Sequence, residues 1–138
     1  RRRRPSWMRT SERIKVILDT DIGDDIDELV NLVEACESDA ARVCFDTGHA
    51  HVMGFGMREC LEKIGPFLAT IHMHDNDGSR DQHLPTGAGT INWAEFFDTL
   101  RQMNWPHPIC VELAPREMPY AEFVRRARHA LAEGTTML

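Results

Sequence analysis

Hydrophobic positions along the chain alternate between two rhythms. Residues 14–18 form a short, largely β-branched apolar run that stops at Asp19. Leu29, Val30, Leu32, Val33 and Cys36 then recur at helical spacing and predict a helix over 27–37. The same cycle follows three more times. Residues 43–45 make a second strand-like run ending at Asp46, and 57–64 are helical in pattern up to Gly65-Pro66. Residues 68–73 make a third run. Phe96, Phe97, Leu100 and Met103 then predict a helix over 93–103, with Trp93, Phe96 and Phe97 on its core face. A fourth run spans 108–113, and the last helix is expected over 119–131, with Pro119 at its first turn and Gly134 beyond its end. Between the third strand and its helix lies a polar loop, 75–89. It is longer than a structural connection needs, which marks it as functional.

Four β–α units in a row mean an α/β protein with parallel strands and crossover helices. An open sheet and a TIM barrel both fit this alternation. A barrel needs eight such units and about 250 residues, whereas this chain has 138. One folded body is expected over 13–134, between a basic, non-periodic arm at 1–12 and a short tail at 135–138.

Composition changes the picture in three places. A hydrophobic fraction of 42% supports a real core. No apolar run reaches the roughly 18–20 residues of a membrane span. The chain carries 16 Lys+Arg against 22 Asp+Glu, but four of the basic residues are Arg1 to Arg4, so residues 5–138 carry a net charge of −10. An acidic body argues against a nucleic-acid surface, which needs clustered Lys and Arg. Cys36, Cys44, Cys60 and Cys110 show no CxxC spacing, which excludes zinc-ribbon and thioredoxin-like readings. Cys44 and Cys110 sit in apolar runs, so reduced, mostly buried thiols and a cytoplasmic protein are expected.

The chemistry concentrates where the strands end. The four runs terminate in Asp19, Asp46, His72 and Glu112. In a parallel α/β architecture those ends project toward one shared face, where ligands bind. A lone Asp after a strand is usually a helix cap; four metal-capable side chains in four such positions make a ligand set. Three carboxylates and one imidazole suit Mn²⁺, Mg²⁺, Co²⁺ or Zn²⁺, with a tilt toward the harder ions. His49 follows three residues after Asp46. Asp81 and His83, in an Asp-x-His sequence, would share one side of an extended segment, and Gly87-Ala88-Gly89 offers a close backbone approach or a positive-φ turn. His51 and His74 read as supporting or surface residues, and His107 and His129 as surface. Trp105 reads as loop packing. Asp75 reads as a loop-solvating carboxylate, or one that orients His72.

Taken in order, Val43 to Ala50, Ile71 to Asn76, Asp81 to Trp93, and Val111-Glu112 resemble the xylose isomerase-like TIM barrels, which include sugar phosphate isomerases/epimerases and endonuclease IV-type apurinic endonucleases. The resemblance covers residues from about 29 to 132. It implies a partial (βα)8 barrel of about four units, with Asp46, His72 and Glu112 as metal ligands. His49 matches a substrate-contacting histidine in the epimerases and a metal ligand in the endonucleases. Asp81 and His83 match a pair that binds a further zinc in the endonucleases. The family's remaining ligand, a Glu, corresponds in position to Asp19. A shorter stretch, Val16 to Glu28, resembles the Asp-rich calcium-binding signature of nucleoside hydrolases.

The expected function is metal-dependent sugar or sugar phosphate isomerisation or epimerisation. A divalent ion on Asp46, His72, Glu112 and Asp19 would stabilise an enediolate while Glu112 or Asp19 moves the proton, with His49, Asp81 and His83 on the substrate. The rivals are an endonuclease IV-like zinc phosphodiesterase and a catalytically silent half-barrel that pairs with a second copy or a missing N-terminal half.

Overall fold

The computed structural model describes residues 16–18, 26–114 and 119–137. Asp19 and the arm at 1–12 lie outside the described residues, as does most of the nucleoside hydrolase-like stretch. Four strands, β1 (Val16–Leu18), β2 (Ala41–Asp46), β3 (Leu68–Met73) and β4 (Cys110–Val111), form one parallel sheet in the order β1-β2-β3-β4. That order decides between the two candidate architectures. A doubly wound sheet reverses its strand order at a switch point, whereas a barrel adds each strand beside the last. The described residues form an α/β barrel segment.

The crossover helices are α1 (Ile26–Ala35), α3 (Met57–Ile64), α4 (Trp93–Gln102) and α5 (Tyr120–Met137), with a short α2 (Thr47–Val52) after β2. Contacts run from α1 to α3, from α3 to α4 and from α4 to α5, so the helices follow the strand order in one layer. The core lies between this layer and the sheet. Val43 and Phe45 of β2 and Ile71 and Met73 of β3 are buried in one cluster with Leu29, Val33, Leu61, Ile64, Phe96, Phe97 and Leu100. Trp93, Phe96 and Phe97 pack edge-on or tilted, with ring centroids 5.2–6.0 Å apart. Burial of each such side chain stabilises by about 1.5–3 kcal/mol.

An irregularity sets which side chains of β3 face the helices. Val43 pairs with Leu68, but Cys44 pairs with Thr70, so the ladder skips Ala69. Such bulges are rare between parallel strands. Beyond it, Phe45 pairs with Ile71 and Asp46 with His72. Ile71 and Met73 therefore join the core, and Thr70 and His72 take the opposite face, which would be the inside of a barrel.

Three local readings differ from the pattern-based ones. Helix α2 has no apolar period to announce it, and it starts because the Asp46 side chain accepts from the His49 amide at 2.8 Å. Helix α5 runs through Gly134 to Met137; an interior glycine costs only about 1 kcal/mol against alanine, which does not by itself end a helix. None of the four cysteines is in a disulfide, and Cys44 and Cys60 are buried, but Cys36 and Cys110 are exposed. Cys110 sits on β4 at the edge of the sheet, where an apolar neighbourhood in sequence brings no cover in space. No described helix is long and apolar enough to cross a membrane.

Candidate metal centre and its loop

The C-terminal ends of β2, β3 and β4 bring Asp46, His72 and Glu112 together. Asp46 and His72 are register partners, and the Glu112 amide continues the ladder by donating to the Met73 carbonyl at 3.1 Å. One ligand atom from each residue lies within 4.8 Å of the other two, and His72 Nδ1 is 3.3 Å from Glu112 Oε2. The three differ in exposure: Asp46 is buried, His72 is partly buried and Glu112 is open to solvent. The contacts Asp46 makes fall on one oxygen. Oδ1 accepts from the His49 amide and lies 2.9 Å from His74 Nε2, and Oδ2 carries no such contact among the described residues. Two carboxylates and an imidazole, with an oxygen to spare on the buried one, fit a divalent ion.

A second cluster adjoins the first. His83 Nε2 is 2.8 Å from Asp81 Oδ2, and His49 Nε2 is 3.6 Å from the same oxygen. Asp81 and His83 meet as their spacing suggested, but by a different route. His83 has a φ of 50°, in the left-handed region, so a turn and not a pleated strand brings the two side chains together.

Between the clusters lies His74, whose side chain is wholly buried. Its ring stacks on His83 with centroids 3.9 Å apart and planes within 3°. Its Nδ1 is 3.6 Å from Asp81 Oδ1, and its Nε2 approaches Asp46 without the alignment of a hydrogen bond. Burial pushes the imidazole toward its neutral form. The nearby carboxylates, Asp46 first and then Asp81 and Glu112, outweigh burial and raise its pKa above the usual histidine value. Asp46 shows the converse. Burial would raise its pKa, but the His74 ring and the His49 amide hold it below the usual carboxylate range. Sequence could have exposed His74, because it stands two positions after His72 along an extended segment and so shares its face.

The 75–91 loop is built around Asp75, and this corrects its reading as a solvating or His72-orienting carboxylate. Asp75 is fully buried. Its Oδ2 accepts from the Gly87 amide at 2.9 Å, the Gly89 amide at 3.0 Å and the Trp93 indole at 2.8 Å. Its Oδ1 accepts from the amides of Asn76 at 2.9 Å and Ile91 at 3.3 Å. Its backbone pairs with Leu84 in both directions at 2.8 Å. The two loop glycines serve as expected: Gly87 has a φ of 81°, and a Cβ on Gly89 would fall 2.2 Å from the Asn76 carbonyl oxygen. The Ala114 amide donates to the His83 carbonyl at 3.2 Å, fastening the loop to the segment that follows β4. His51 bonds Thr90 Oγ1 at 2.8 Å, and His107 is exposed against the ring of Trp105.

A parallel barrel segment with carboxylates and imidazoles gathered at its strand ends defines a class of ligand-binding α/β barrels. The chain matches the xylose isomerase-like TIM barrel family over residues 12–132, and it belongs to that family. It is 32% identical over 96 residues to a probable endonuclease 4 of Mycoplasma mobile, covering 61% of this chain and 33% of the relative. It is 27% identical over 79 residues to a D-psicose 3-epimerase of Enterocloster bolteae, covering 57% of this chain and 25% of that protein. A solved D-psicose 3-epimerase structure superposes with a TM-score of 0.75 at 19% identity, over 91% of this chain and 50% of the other. The chain thus spans between a quarter and half of the length of these proteins.

Proposed function

We propose that this chain carries the metal-binding side of a sugar or sugar phosphate isomerase/epimerase. The observation that supports it is the meeting of Asp46, His72 and Glu112 on the sheet face opposite the helices. These three would hold the ion, with Asp19 from the end of the first strand as a fourth. A divalent cation held there supplies Lewis acidity toward the carbonyl and hydroxyl oxygens of a ketose or aldose. Glu112, the most open of the three, would exchange a proton with the carbon beside the carbonyl. His49, Asp81 and His83 border the same space and would bind the sugar hydroxyls.

The first test is metal content. Purified protein reconstituted with Mn²⁺, Co²⁺, Mg²⁺ or Zn²⁺ should retain near one equivalent after gel filtration, and less than about 0.1 equivalent of each would refute the reading. The second is solvent deuterium incorporation into a ketohexose by the loaded protein. The approach of His49 and Asp81-His83 to one another, together with the endonuclease 4 relative, favours a second reading as a zinc phosphodiesterase. Incision of an abasic-site duplex with no deuterium exchange would select it. A chain that binds metal and does neither would be the silent half-barrel, and light scattering would then show whether two copies pair.

A further inference from the structure

We propose that His74 is a positioning residue: it fixes the Asp46 carboxylate and so sets the affinity of the cation site, and it ties that site to the 75–91 loop. The inference rests on Asp46, His72 and Glu112 being the cation ligands. Its own support is the way His74 is held. The Thr47 hydroxyl donates to the His74 carbonyl at 2.8 Å and accepts from its amide at 3.0 Å. Gly48 leaves room for the ring, because a Cβ there would fall 1.9 Å from Cε1 of His74. His83 covers the ring in a flat stack. With backbone, floor and roof fixed, the two edges of the imidazole face two different carboxylates. One is Asp46 at 2.9 Å and the other is Asp81 at 3.6 Å.

The consequence falls on Asp46. His74 and the His49 amide both engage Oδ1. A carboxylate pinned by one oxygen presents the other in a fixed direction, and support of this kind tunes the ligands of a metal site. The loop shares in this, since Asp81 and His83 hold the far side of the same ring. Removing the ring would free both ends at once.

His74 as a ligand itself is the competing role, because its ring lies within 4.8 Å of ligand atoms on His83 and Glu112. The stack argues against it. The lone pairs of an imidazole lie in its ring plane, and the parallel planes of His74 and His83 do not meet. One ion cannot sit in both planes.

The test uses the full chain stripped of metal and titrated with Co²⁺, reading heat and the visible d–d bands, with thermal unfolding of each metal-free protein as a check on folding. His74→Phe keeps the stack and removes both nitrogens, and His74→Asn shortens the side chain without adding bulk. His74→Gln returns an N–H within reach of Asp46. Wild type should bind Co²⁺. The Phe and Asn variants should keep the stoichiometry, bind about 10–100-fold more weakly and show altered bands, and Gln should recover most of the loss. The Asn variant carries the same reading if Phe lowers the metal-free melting point. Affinity and bands unchanged in both would overturn the positioning role, as would loss of one whole equivalent from a two-equivalent wild type. A wild type that binds no Co²⁺ would instead overturn the ligand reading on which the inference stands.

Discussion

Asp75→Asn is the perturbation whose size follows most directly from the geometry. The carboxylate is fully buried and accepts five N–H donors, three on Oδ2 and two on Oδ1. An amide has one accepting oxygen. Whichever way it turns, its NH2 group faces at least two donors and the oxygen keeps at most three. Bonds to a charged acceptor are worth about 1.5–3 kcal/mol each, so two lost bonds cost about 3–6 kcal/mol, before the orphaned amides are counted. Whole domains are stable by only about 5–15 kcal/mol, so the variant should unfold at much lower urea, or lose the two-state transition as the loop detaches. Urea unfolding followed by tryptophan fluorescence reads this directly, because Trp93 donates its indole N–H to the same carboxylate. Arg80→Gln, in the same loop but at an exposed position, is the control and should shift stability by less than about 0.5 kcal/mol. A loss below about 1 kcal/mol for Asp75→Asn would refute the argument that this carboxylate organises the loop.

Gly89→Ala should be similarly damaging by an independent route, since its Cβ would enter the Asn76 carbonyl and the Asp75 carboxylate; a melting temperature equal to wild type would contradict the packing described. Native thiol titration at pH 8 should find two fast groups, Cys36 and Cys110, and two slow ones, with Cys60 both buried and pushed up to about 11; four fast thiols would count against the fold. In chelated protein, the Asp46–His74 pair gives stability a maximum. The contribution of Asp46, whose pKa is depressed, is present above the ordinary carboxylate value near about 3.9 and fades as pH falls through its lower folded value. The contribution of His74, whose pKa is raised, is complete below about 6.5 and fades as pH rises through its higher folded value. Thermal melts across pH should show both edges flattened in Asp46→Asn.

The features legible in sequence were those with a period. Strand β3 and helix α3 have the predicted bounds, because an apolar run or an apolar stripe is a property of consecutive residues. The strand-end rule brought out Asp46, His72 and Glu112 for the same reason: once the strands are parallel, their ends coincide. Helix α2 was silent, since Thr47 to Val52 contain no stripe and depend on a cap and on space left by Gly48. The role of Asp75 was equally hidden. Its five donors are spread from Asn76 to Trp93 and converge only when the loop has closed. The Asp81–His83 contact was foreseen for the wrong reason, because a left-handed residue replaced the expected pleat.

The skipped Ala69 has a consequence for how this protein can change. Leu68 lies on the helix side of the sheet and so do Ile71 and Met73, three and five positions later, which strict alternation forbids. The bulge takes one supernumerary residue out of the count: with Ala69 outside the ladder, Leu68, Ile71 and Met73 keep to the apolar layer and His72 to the opposite side. Ironing the bulge out at fixed length, with Ala69 paired to Cys44, would turn His72 toward the helices and Ile71 toward the carboxylates, so core and chemistry would fail together; deleting Ala69 would not, because Leu68, Thr70, Ile71, His72 and Met73 then alternate regularly. Core and chemistry are thus tied to the pairing of the bulge and not to the residue count, so a strand shortened by Ala69 alone should keep both faces.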